Sequence, residues 1–143
     1  MKHMTESPSA RLRAQIAAGE LSADAAQLQI AERLDVLAAG LASWQPPRSG
    51  LRALFARGNG APPRGVYMYG AVGRGKTMLM DLFFETVGFR PKLRRHFHEF
   101  MADVHERIGE ARKGMDGDPI PAVAAGIASE ASLLCFDELQ VTD

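Results

Sequence analysis

The stretch GAVGRGKT, Gly70 to Thr77, constrains this chain more than any other. Gly70, Gly75, Lys76 and Thr77 satisfy the spacing G-x-x-x-x-G-K-[ST], the pattern of a loop that cradles the phosphates of a nucleoside triphosphate. Each position has a physical task. Gly70 lets the chain leave a strand in a conformation that a side chain would obstruct. Gly73 and Gly75 keep the loop bare, so that backbone N–H groups wrap phosphate oxygens. A helix starting near Lys76 turns its positive end toward the same anion. The Lys76 ammonium reaches the β- and γ-phosphates, and the Thr77 hydroxyl ligates Mg²⁺. Ala71, Val72, Arg74 and Met78 complete the expected nucleotide-binding segment. Arg74 points either at the nucleotide or out toward a neighbouring subunit. The competing reading is a glycine-rich turn with an incidental Lys-Thr. The β-forming GVYMY in front of the loop and the apolar TMLMDLFFETV behind it count against that reading.

These flanks set the fold class. GVYMY, 65–69, is expected as a short buried strand, and the apolar stretch after the loop as a helix covered on most sides. KLRRHF, 92–97, predicts a second strand. EFMADVHERIGEAR predicts a helix with Phe97, Met101, Val104, Ile108 and Ala111 on one face. GMDGDP is a loop, and Pro121 suits the first turn of a short helix reaching about Ser129. ASLLCFDE supplies a third strand. Strand, helix, strand, helix, strand predicts an α/β phosphate-loop fold, a parallel sheet with flanking helices. That domain occupies 65–143. Residues 1–9 read as disordered, and 10–64 as a helical prefix and connector. In the prefix, one helix is expected from Ala10 to Ala18, ended by Gly19. A second is capped by Ser22, carries Asp24 in its first turn and runs to about Leu41. Ile30, Leu34, Leu37 and Leu41 share its apolar face, with Glu32, Arg33 and Asp35 elsewhere.

The third strand ends in an acidic pair. Apolar residues followed by Asp137 and Glu138 form the second signature of triphosphatases. Asp137 is expected to hold Mg²⁺ through water and Glu138 to polarise the attacking water as general base. A solvated acid pair at a strand end is the alternative, and the upstream loop disfavours it. An acid directly after the metal-binding Asp also favours the division in which an extra strand separates the loop strand from the acidic strand. That division contains the AAA+ and helicase-like ATPases.

Composition narrows the remaining features. The 143 residues suit one modest domain. Seventeen Lys+Arg balance seventeen Asp+Glu, so no net field draws the chain to nucleic acid or membrane. The local cluster Arg90, Lys92, Arg94 and Arg95 reads first as a solvated strand edge. His96 and His98 would share a strand face, but Glu99 is the sole nearby carboxylate and no cysteine joins them. Structural or partner-facing histidines are therefore preferred to a metal site. His105 reads as a helix-surface residue. The single cysteine, Cys135, excludes an intrachain disulfide and reads as an inert core residue in a reducing compartment. No apolar run approaches the ~20 residues of a membrane span, and the start lacks the apolar core of a secretory signal. A soluble cytoplasmic protein is expected.

Together YMYGAVGRGKTMLMDLFF, RRHFHEFMADVHERI, DPIPAVAAGIASEA and LLCFDELQVTD resemble the AAA+ ATPase family that includes bacterial ZapE-type cell division proteins and mitochondrial AFG-one-like ATPases. AAGELSADAAQLQIAERLDVL is similar to that family's N-terminal helices, so the resemblance runs from about Ala10 to Asp143. It implies ATP binding with Mg²⁺ and ATP hydrolysis. Gly70 to Thr77 carry over as the nucleotide loop, and Asp137 and Glu138 as the metal and base acids. It also implies protein partners, with the FtsZ division ring among them for bacterial members, and it admits a homo-oligomer. Leu139 departs from the family, where an aromatic often follows the Asp-Glu. Family members continue with a fourth strand bearing a polar sensor, a fifth strand, an arginine finger and a helical lid. The chain thus reads as the N-terminal section of such a protein, truncated after the acidic strand. These 143 residues alone are expected to hydrolyse ATP poorly or not at all. Two alternatives stay open: a nucleic-acid-loading AAA+ ATPase or small kinase, and a nucleotide-gated protein-binding module without essential hydrolysis.

Overall fold

Helix α1 (Pro8–Ala17) starts where the sequence supplies both halves of an N-terminal cap. In the computed structural model, which describes residues 6–45, 61–69, 74–114 and 116–137, the Ser7 hydroxyl accepts the Ala10 N–H at 3.2 Å, and Pro8 fills the first turn, where no N–H is needed. The start precedes the expected Ala10. The end is as expected. Gly19 takes a left-handed φ of 77°, and the N–H groups of Gly19 and Glu20 return to the carbonyls of Ile16 and Gln15. That pairing is a Schellman closure, which a residue with a Cβ enters only under strain.

The chain divides into two units, Met1–Phe89 and Arg90–Asp143. The first is helical. Helix α2 (Ala25–Ser43) is capped by Asp24, not by Ser22 as the sequence suggested. The Asp24 carboxylate accepts the N–H groups of Ala26 and Gln27 at 2.9 and 3.3 Å. A carboxylate there satisfies two orphan donors and opposes the helix dipole, which a hydroxyl two residues earlier does not. Its buried face is Ala31, Leu34, Leu37 and Leu41, so Ala31 takes the place predicted for Ile30. Asp35, expected off that face, is half-buried and accepts the Ser9 N–H at 2.9 Å and the Ser9 hydroxyl. With Arg13 meeting Glu32 at 3.2 Å, this sets α1 antiparallel to α2.

Helix α3 (Arg74–Thr86) packs against both. Leu79, Met80, Leu82, Phe83 and Val87 are buried with Leu12 and the α2 leucines, in keeping with the apolar pattern. Gln27 at the start of α2 lies beside Gly75 at the start of α3. Trp44 just past the end of α2 stacks on Phe89 just past the end of α3, with ring centroids 5.9 Å apart. The two helices therefore run parallel. Pro63 packs on the side-chain-free face of Gly40, where a Cβ would lie 3.3 Å from its ring.

GVYMY is not a strand in this structure. Residues 62–69 have no regular secondary structure, and Val66, Tyr67 and Tyr69 are exposed. Tyr67 and Tyr69 lie on each other, 6.1 Å between centroids. A strand exists only where its N–H and C=O groups meet a neighbour's, and among the described residues none pairs with this segment.

The second unit is a parallel strand pair with two helices. Strands β1 (Lys92–His96) and β2 (Leu133–Asp137) pair in register from Lys92↔Leu133 to His96↔Asp137. Between them run α4 (Phe97–Lys113) and α5 (Ile120–Glu130). The predicted strand thus ends one residue early, at His96, and the helix begins at Phe97. The predicted face of α4 is confirmed in position, with Phe97, Met101, Val104, Ile108 and Ala111 all half-buried. Arg107, midway along α4, donates to Asp103 at 3.0 Å and across to Glu130 of α5 at 2.6 Å.

Candidate functional site

The described part of the phosphate-loop motif is Arg74, Gly75, Lys76 and Thr77, which form the first turn of α3. Gly70, Ala71, Val72 and Gly73 lie outside the described residues. The helix begins inside the motif, as the motif's chemistry requires. The first N–H groups of a helix have no intrahelical acceptor and carry its positive pole. Gly75, Lys76, Thr77 and Met78 are half-buried, and the buried row behind them starts at Leu79. Burial of Leu79, Leu82 and Phe83 against α1 and α2 fixes the axis of α3 and so the direction in which this positive end points.

The surroundings of Gly75 are tight on one side. A Cβ there would stand 2.7 Å from Nε2 of Gln27, closer than side-chain carbons come to any neighbour. A side chain at this position would make the amide end of Gln27 shift. Sequence reading assigned Gln27 no role, because its contact is made across elements that are far apart in sequence.

The acidic end of β2 belongs to the second unit. Asp137 is its last residue, and Glu138 lies outside the described residues. Because β1 and β2 pair in register, Arg94, beside Cys135, and His96, beside Asp137, emerge on the same face as the Asp137 carboxylate. Arg94 Nη2 lies 3.7 Å and His96 Nδ1 3.9 Å from Asp137 Oδ2. The preceding residue is held from the other side. Phe136 meets Phe97 edge-on at 5.6 Å and Phe100 at 4.6 Å, which anchors the strand end that presents Asp137. The basic residues Arg94 and Arg95, read as a strand edge, therefore differ in their surroundings. Arg95 is exposed, whereas Arg94 faces the acid.

A hydroxyl at Thr77 and a carboxylate at Asp137 are hard oxygen donors of the kind Mg²⁺ takes, and a helix start carrying a lysine is the surrounding that phosphate takes. Taken singly, each residue suits its group by chemistry, Lys76 and Thr77 in the first unit and Asp137 in the second. The two histidines are arranged otherwise than expected. His96 ends β1 and His98 sits in the first turn of α4, so they do not share a strand face as expected. Their rings stack instead, 5.9 Å apart at 15°. Among the described residues no three His, Cys, Asp or Glu side chains gather as a metal site. Cys135 is buried in β2. Burial pushes its thiol up to about 11, against a smaller pull downward from Arg94 and Lys92.

Comparison with known proteins identifies the family. Residues 6–143 match the family model described as AFG1-like ATPase. The chain is 38% identical to the Escherichia coli cell division protein ZapE over 87% of this chain and 36% of that protein. It is 50% identical to lactation elevated protein 1 homolog B of Danio rerio over 57% of this chain and 18% of that protein. It is 49% identical to the uncharacterized protein C115.02c of Schizosaccharomyces pombe over 57% and 19% of the two. The chain thus spans about a third or less of the length of these relatives. No solved structure matches.

Proposed function

Since the chain belongs to the AFG1-like ATPase family, we propose that it carries the phosphate loop and the metal-binding acid of a Mg²⁺-dependent ATPase of AAA+ type. The observation that supports this most is the start of α3 inside the G-x-x-x-x-G-K-T motif, with Gly75, Lys76 and Thr77 in its first turn. In this reading the loop amides of Gly70 to Gly75 and the Lys76 ammonium bind the triphosphate and balance the charge that builds on it. Thr77 and Asp137 would hold Mg²⁺, Asp137 through water, and the ion would supply Lewis-acid neutralisation of the phosphate charge. Glu138 takes the proton of the attacking water. The protein works in the cytoplasm, a reducing compartment that suits its free thiol.

The test is nucleotide binding and turnover by the intact protein. Lys76→Ala is expected to abolish tight binding of a fluorescent ATP analogue. Glu138→Gln is expected to leave binding intact and to lower turnover by about a hundredfold or more, the usual contribution of a positioned base. Wild-type affinity in the Lys76→Ala protein would refute the assignment.

A partner role is the second part of the proposal. Similarity to a cell division protein, at 38% identity over 87% of this chain, favours a task on the division machinery, with the FtsZ ring as first candidate partner. Co-sedimentation of the intact protein with FtsZ polymers, with and without ATP, tests it. Absence from the pellet in both states would remove it.

A further inference from the structure

The face of the strand pair that presents Asp137 is unevenly charged. It receives Lys92, Arg94 and His96 from β1, and Leu133, Cys135 and Asp137 from β2. One acid thus stands in a row with two permanent cations and an imidazole. Nη2 of Arg94 lies 3.7 Å from Oδ2 of Asp137, and Nδ1 of His96 lies 3.9 Å from the same oxygen. The side chains of Arg94 and Asp137 are only 29% and 19% exposed, so water and salt screen the pair incompletely. The imidazole adds charge only when protonated, whereas a guanidinium is charged at every pH the protein meets. Arg94 is therefore the lasting counter-charge of this acid.

A cation in that place can act in two ways. It can hold the carboxylate still, which would help the acid to meet a metal ion, or it can oppose the ion by charge. Distance decides between them. At 3.7 Å this contact is longer than a hydrogen bond, so it directs the carboxylate weakly. Charge opposition falls only as the inverse of distance, and it grows with the charge of the ion.

We propose that Arg94 is a positioning residue that acts through Asp137. It balances the carboxylate in the metal-free protein and keeps the acid's grip on a divalent cation loose, so that the ion exchanges readily. The proposal rests on the reading of Asp137 as the metal-binding acid and goes beyond it, because it assigns the strength of that acid to a residue of the neighbouring strand.

The experiment follows Mn²⁺ binding to the intact protein, with ADP present, by electron paramagnetic resonance, which reads the ion and not turnover. It compares wild type with Arg94→Gln, Arg94→Met, Arg94→Lys, Arg95→Gln and Asp137→Asn. A melting curve for each, recorded without metal, shows that folded protein is being read. Arg94→Gln and Arg94→Met remove the charge and keep much of the stem. Both are expected to bind Mn²⁺ about tenfold more tightly than wild type. Arg94→Lys keeps the charge and is expected to stay within about twofold of wild type. Arg95→Gln removes an exposed cation from the opposite face of β1 and is expected to bind as wild type. A merely structural arginine would give the reverse, since loosening the strand end does not raise affinity. Arg94→Gln and Arg94→Met binding Mn²⁺ as wild type or more weakly, while Asp137→Asn loses the ion, would overturn the proposal. So would an equal gain in Arg95→Gln, the mark of net charge alone. If Asp137→Asn binds Mn²⁺ as wild type, Asp137 is not the metal-binding acid, and the underlying reading falls together with the proposal.

Discussion

Asp35 does something that helical periodicity conceals. Counted along α2 it falls off the apolar face, yet its carboxylate accepts both the N–H and the hydroxyl of Ser9, which is itself buried. It faces the first turn of α1, where a negative charge also opposes the positive end of that helix. Asp35→Ala leaves two buried donors without a partner and is expected to destabilise the protein by about 1–3 kcal/mol in urea titration, with Asp35→Asn losing less. Cys135 has the opposite character, a reactive group made inert by its place in the strand pair. Burial holds its thiol at about 11, above the ordinary 9.0. The folded state therefore keeps the proton more tightly than the unfolded state does. Its contribution is complete below pH 9.0 and is lost as pH rises through about 11. At pH 8 a thiol reagent is expected to label denatured protein at least about tenfold faster than native protein. Over the alkaline range, Cys135→Ala is expected to show a shallower fall in stability than wild type.

At the scale of elements, the sequence was legible wherever a single helix or strand decides its own form. The Gly19 closure, the row Leu34, Leu37 and Leu41 of α2, the apolar α3, the Pro121 start of α5 and the two strands of the second unit all follow from local pattern. What could not be read locally were choices between neighbours. Ser22 and Asp24 are both capping residues, and geometry selects the carboxylate. Asp24→Ala is accordingly expected to cost about 1 kcal/mol in chemical denaturation, whereas Ser22→Ala is expected to be close to neutral. GVYMY has strand propensity but no partner among the described residues, and propensity without a ladder makes no strand. For the candidate site the same division holds. The motif announced Lys76, Thr77 and Asp137, while Gln27, Arg94 and the Phe97–Phe136–Phe100 cluster emerged only from packing between elements.

For the whole molecule, charge balance and nucleotide linkage set the behaviour. A ligand that binds only the folded state stabilises it by mass action, by about 2.7 kcal/mol at a hundred times its dissociation constant. ATP with Mg²⁺ is therefore expected to raise the melting point of the intact protein, and to leave that of the Lys76→Ala protein unchanged. In differential scanning calorimetry, ATP without Mg²⁺ is expected to give a smaller rise. The prefix adds a mechanical consequence. α2 touches the α3 side at Gln27 and again, by way of Trp44 and Phe89, at its far end. Those two points are seventeen residues apart on one unbroken helix, a span of about 25 Å. A rod pinned at both ends behaves as a splint. A tilt at the first turn of α3 is therefore carried along α2 to Trp44 and is not lost in bending on the way.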